Sequence, residues 1–116
     1  MERNALDDGL GAAAAEAAEG RRALVILPRG GKARDSLHLL EKLLGPRVER
    51  VYRINGQEQV LTKAGGSVRF RRSGSRGHRG ISAHLLVVPD AVWRNEEHKL
   101  DLLPVLAVTG GGVITY

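Results

Sequence analysis

The spacing of apolar residues changes along this chain, and each change marks a new element. Ala23-Leu24-Val25-Ile26-Leu27 and His84-Leu85-Leu86-Val87-Val88 are short, nearly continuous apolar runs. That is the pattern of strands covered on both faces in a parallel sheet. After the turn Pro28-Arg29-Gly30-Gly31, Leu37, Leu40 and Leu44 recur at helical spacing, flanked by Leu39 and Leu43, until Gly45-Pro46 ends the pattern. The period then shortens. Val48, Tyr52 and Ile54, followed by Val60, Val68 and Phe70, fall in stretches broken by Asn55-Gly56 and Gly65-Gly66. Asn-Gly favours a tight primed turn, which predicts antiparallel hairpin strands at about 48–54, 57–62 and 67–71, followed by an Arg/Gly loop over 72–80.

The two ends complete the pattern. Residues 4–19 suit an alanine-rich helix capped by Asp7 or Asp8, weakened early by Gly9 and Gly11 and stopped at Gly20. Asn95, with Glu96 and Glu97 behind it, starts a second amphipathic helix. Its core face is expected to carry Leu100, Leu102, Leu103, Val105 and Leu106, with Pro104 kinking it or ending its regular part. Gly110-Gly111-Gly112 leads into a third short strand, Val113-Ile114-Thr115-Tyr116. The order is therefore strand, helix, antiparallel insert, strand, helix, strand. Right-handed crossovers then predict a three-layer α/β fold with a small, mainly parallel sheet and an antiparallel hairpin insert. No repeat or linker divides it, so residues 1–116 read as one domain, with an N-terminal helical segment over 1–22 and the core over 23–116.

Composition narrows the function. The chain has 116 residues, 3% aromatic content and no cysteine. One aliphatic core fits that length, and disulfides and thiolate metal sites are excluded. No run reaches the ~18–20 apolar residues of a membrane span, and the acidic start is no signal peptide. A soluble, cytoplasmic protein with no membrane contact is expected. The net charge is +5, unevenly spread. Residues 1–20 are acidic, whereas Arg69, Arg71, Arg72, Arg76 and Arg79 crowd into eleven positions with His78 among them. A cluster of that density can track a phosphate backbone.

Other chemistry is sparse. His38, His78, His84 and His98 lack metal-site spacing, the serines lack a nucleophile elbow, and Glu96, Glu97 and Asp101 read as helix capping and solvated charge. Trp93 is either a packing residue at the core or edge, or an exposed partner-binding anchor.

Four segments, in order, carry a resemblance: Ala23–Pro28 with its following helix, Gly66-Ser67-Val68-Arg69-Phe70, Arg76-Gly77-His78-Arg79-Gly80, and Leu102-Leu103-Pro104 followed by Gly111-Gly112-Val113-Ile114. From Ala23 to Tyr116 the chain resembles the middle of the ATPase domain of phage large terminases, the motors that package viral DNA. The resemblance implies a P-loop NTPase-like core that lacks its phosphate-loop strand. In that family the strand matched by 85–88 closes on two carboxylates, one for the metal and one to polarise the attacking water. Here those positions are Pro89 and Asp90. Shifting by one residue puts Asp90 at the metal but Ala91 at the water. Gly30-Gly31-Lys32 does not supply a phosphate loop either. Ile26 stands where the first glycine is needed and Ala33 where the hydroxyl is needed, so this segment reads as a turn into a helix. No catalytic activity and no cofactor are expected.

The resemblance also implies the sheet order 23–27, 84–88, 112–116, with 84–88 central and Val113, Ile114, Thr115 and Tyr116 on an edge. A bare edge recruits strands, so it is expected to be covered by the N-terminal helix or by another chain. The expected function is that of a non-catalytic, terminase-like, phage-encoded binding protein that regulates or inhibits through protein–protein contact. Its partners would be a copy of itself or a host or phage protein. Two alternatives stand beside it: a nucleic-acid module using the arginines of 69–79, with DNA as partner, and a fragment of an ATPase completed by another chain.

Overall fold

The computed structural model describes residues 5–74 and 81–116. Strand β1 (Arg22–Leu27) is buried at every position after the first, as its unbroken apolar run requires. It lies between two parallel neighbours, β4 (Ser67–Arg72) and β5 (Leu85–Val88). Beyond β5 lies the parallel strand β6 (Gly112–Thr115). Beyond β4 lie the antiparallel strands β3 (Gln59–Thr62) and β2 (Val48–Tyr52). Among the described residues these strands form one sheet in the order β2-β3-β4-β1-β5-β6.

The pleat of the sheet sorts side chains into two cores. Ala23, Val25 and Leu27 of β1 point into a cluster with Val60, Val68, Phe70 and Val87, covered by α1 (Ala5–Ala18) and α2 (Arg34–Leu44). Leu24 and Ile26 point the other way, to Leu86, Val88 and Leu102, Val105 and Leu106 of α4 (Glu96–Ala107). The result is helix, sheet, helix: the expected three-layer α/β fold with a mostly parallel sheet.

Small residues let α1 lie close to the sheet. Leu10, Ala13, Ala14 and Ala17 are buried, and a Cβ on Gly9 would come within 2.7 Å of a Val87 methyl. Gly9 therefore does not weaken the helix in place, because its missing side chain is what allows contact. The C-terminal end of α1 is fastened to the β3–β4 turn. Thr62 Oγ1 donates to Ala17 O at 2.7 Å and accepts from Gly66 N at 2.9 Å. A Cβ on Gly66 would stand 2.1 Å from Ala17 O, so only glycine fits this approach.

The strand order 23–27, 84–88, 112–116 is as expected, with β6 on an edge. The insert, however, does not stand apart. Its last strand is antiparallel to β3 but parallel to β1, so it extends the main sheet and shifts its middle to β4 and β1. The Asn55-Gly56 segment is not a primed two-residue turn. Gly56 has φ +87° while no non-glycine residue has positive φ among the described residues, and a primed type I′ turn needs both. A loop over 53–58 results, closed by Gln57 N donating to Ile54 O at 2.8 Å.

Helix α4 starts as expected, with Asn95 Oδ1 accepting from Glu97 N and His98 N. Its buried face is narrower than expected. Leu102, Val105 and Leu106 are buried, but Leu100 is 64% and Leu103 44% exposed. Residues 102, 105 and 106 define one helical stripe and 100 and 103 fall outside it. Pro104 sits inside the helix on its exposed side, and the helix continues to Ala107.

Candidate functional site

Strand parity divides the arginine cluster. In β4, Val68 and Phe70 point into the core beneath α1 and α2, and Arg72 follows them. Ser67, Arg69 and Arg71 point to the opposite face. Their cross-strand partners extend that face: Arg69 lies opposite Gln59, Ser67 opposite Leu61, and β2 places Tyr52 against Gln59 and Arg50 against Leu61. The described helices that pack on β3 and β4 do so from the other side, and the core under α4 is built on β1, β5 and β6. Three guanidiniums, those of Arg50, Arg69 and Arg71, therefore share a surface whose remaining strand positions are Tyr52, Gln59, Leu61 and Ser67. Glu49, the exposed extra residue at the bulge beside Arg50, is the carboxylate at the outer edge of this strand group.

The electrostatics match. Burial, and secondly the neighbouring charge of Arg69, pull the Arg71 guanidinium below its usual range. Arg50 stacks over the Tyr52 ring with 5.0 Å to its centroid. At the inner margin of the face, Arg69, Gln59, Arg22 and Ser82 border a cleft of about 330 Å³. There Arg22 donates to Ser82 Oγ at 2.9 Å.

Arg72 has a different occupation. Its Nη1 and Nη2 donate to both oxygens of Glu58 at 2.7 and 2.6 Å, and its Nε donates to Gly31 O at 2.9 Å. Glu58 is 5% exposed and also accepts from Gly56 N at 2.9 Å. The Arg72 guanidinium holds the Glu58 carboxyl below its ordinary range, and Glu58 in turn raises Arg72. Arg76, His78 and Arg79 lie outside the described residues.

Pro89 and Asp90 open a short helix, α3 (Asp90–Trp93). Asp90 N donates to Tyr116 O at 2.7 Å, and its half-exposed carboxylate pairs with Arg94 at 2.8 Å. No three His, Asp or Glu side chains converge on one point among the described residues. Trp93 packs, half-buried, against the core beneath α4, with Lys99 Nζ 5.1 Å from its ring centroid.

On β6, Gly112 N and Tyr116 N donate to His84 O and Val88 O. These alternate positions face β5, so the N–H and C=O groups of Val113 and Thr115 point off the sheet edge. The face beside that edge is covered from within the chain, since Ile114 and Tyr116 pack against the core that α1 closes. Tyr116 reaches β1, its hydroxyl donating to Ile26 O at 2.5 Å. Burial pushes its phenol up to about 12.

Sequence reasoning missed Arg50 and Tyr52 as members of the basic face, and missed Glu58 altogether. Parity about Val51, which lies opposite Val60, would have found the first two. Nothing in the sequence marks Glu58 as buried.

Fold and site together define a three-layer α/β protein with a mainly parallel sheet and an arginine-bearing sheet face. No protein-family model matches the chain, and neither does any curated protein or solved structure. No helix among the described residues is long and apolar enough to cross a membrane.

Proposed function

We propose that this chain is a binding module for nucleic acid with no catalysis of its own, and that the β2–β4 face is its phosphate-contacting surface. One observation carries the reading: Arg50, Arg69 and Arg71 share a sheet face that no described helix covers. Like charges so placed repel, and a polyanion relieves that repulsion while releasing its own counterions. Tyr52 gives the same face a ring on which an unpaired base can stack. The terminase resemblance supplies a setting, a phage-encoded regulator of a DNA-handling machine that keeps the motor's shape without its phosphate loop.

The test is fluorescence anisotropy with labelled single- and double-stranded oligonucleotides across a salt series. Three phosphate contacts give a slope of log K against log[salt] of about −2 to −3. Replacing Arg50, Arg69 and Arg71 with Gln should flatten that slope by the same amount while the protein stays folded. Salt-independent binding, no binding at low salt, or an unchanged triple variant would overturn the reading.

A second reading rests on the outward backbone groups of Val113 and Thr115, which suit the addition of a strand from a partner protein or a second copy. A monomer in light scattering whose 113 and 115 amides exchange rapidly would remove it.

A further inference from the structure

The opposite side of the sheet carries a second feature that the nucleic-acid reading does not use. At the carboxyl ends of β1 and β4, a cleft of about 810 Å³ opens between the loop entering α2 and the loop joining β2 to β3. This is the end of a parallel sheet where α/β proteins hold ligands, and the volume suits a molecule up to the size of a mononucleotide.

Its lining is unbalanced in charge. Lys32, Arg34, Arg53 and Arg72 line it against one carboxylate, that of Glu58. Two of the cations are already matched: Arg72 by Glu58, and Arg53 by Glu41, which lies outside the cleft. Lys32 and Arg34, side by side on one wall, form no ion pair among the described residues. Leu37 behind them belongs to the core and is 2% exposed, so the wall that a ligand meets is polar.

The floor is rigid. Arg72 spends its guanidinium on Glu58 and on Gly31 O, and Glu58 reaches on to Gly56 N. That chain of bonds ties both walls to the end of β4 and fixes the distance between them. A cavity held open in this way does not have to be built by its ligand, which removes much of the ordering cost of binding.

From these observations we infer that the cleft binds a small phosphorylated molecule, with its phosphate between Lys32 and Arg34. The assignment is independent of the basic sheet face. Arg69 and Arg71 lie on the far side of the sheet and contribute nothing to the cleft.

The experiment is an amide-resolved NMR titration of the full chain with pyrophosphate, AMP and adenosine. Saturable shifts at Gly30–Arg34 and at Asn55–Gly56 are expected for the two phosphates and not for adenosine. Lys32→Ala/Arg34→Ala should weaken AMP at least about tenfold, the loss that follows removal of charge-assisted phosphate contacts. The Arg50/Arg69/Arg71 variant described above should bind AMP as the unmodified protein does, even where it loses nucleic acid. Shifts that never saturate, shifts confined to β2–β4, equal response to adenosine, or full affinity in the Lys32/Arg34 variant would each overturn the assignment.

Discussion

Glu58 and Arg72 form the most consequential polar contact in the chain, and breaking it from each side should give unequal results. The side chains are 7% and 17% exposed and share two bonds at 2.6 and 2.7 Å. Removing one member of a buried pair costs about 3–5 kcal/mol, because the survivor is left charged and poorly solvated. In Glu58→Ala the surviving Arg72 keeps its bond to Gly31 O and the better solvent access, so about 3 kcal/mol is expected. In Arg72→Ala a nearly buried carboxylate keeps only backbone N–H groups, its own and that of Gly56, and about 4 kcal/mol is expected. Replacing both with apolar residues of similar volume, Glu58→Leu/Arg72→Met, should recover most of the loss. Urea unfolding measures all three, and each kcal/mol should move Tm by about 3–6 °C at this chain length. The pair also sets a pH dependence. Folding lowers the Glu58 pKa from its ordinary 4.5, so its contribution is complete above that value and is lost as pH falls through the lower, folded-state value. The double apolar variant should therefore lose less stability than the unmodified protein on acidification below 4.5. A cost under about 1 kcal/mol for Glu58→Ala, the range of an exposed pair, would refute the reasoning. So would a larger loss for Glu58→Ala than for Arg72→Ala.

Two further expectations test the packing. Gly66→Ala places a Cβ 2.1 Å from Ala17 O and should destabilise by about 3 kcal/mol, since backbone must move. Gly11→Ala, inside α1 with open space around it, should stabilise by about 0.5–1 kcal/mol; thermal unfolding of the two variants gives opposite signs. Tyr116→Phe removes the bond to Ile26 O at a cost of about 1 kcal/mol. In the unmodified protein a near-ultraviolet titration should find one phenol ionising near 12. Because folding raises that value above the ordinary 10.0, the stabilisation is whole below 10.0 and is lost as pH rises toward the folded-state midpoint.

How much of this was legible follows from how local each signal is. The run Ala23–Leu27 reads as a doubly covered strand because five apolar residues closed by Pro28 and Gly30-Gly31 are too short for a buried helix. Asn95 marks the start of α4 because its cap is a contact within three residues. Glu58 was invisible because its burial depends on Arg72, fourteen positions away, and on the route of a loop that Asn55-Gly56 did not close as a tight turn. Leu100 and Leu103 misled because hydrophobicity alone widens the stripe, whereas only positions 102, 105 and 106 turn toward the sheet.

The arginine cluster is the instructive case. Read along the chain, Arg69, Arg71 and Arg72 are one basic run. Read on the sheet, the period of two separates them. Arg69 and Arg71 join Arg50 from another strand on one surface, whereas Arg72 turns into the protein and becomes the partner of Glu58. Density of charge in sequence is therefore a poor guide to density of charge on a surface when the segment is a strand. Parity decides which cations act together. That division makes the two sides of the sheet separable by mutation. Changes at Arg69 and Arg71 should bear first on polyanion contact, whereas changes at Arg72 should act first on folding and on the cleft that it holds open.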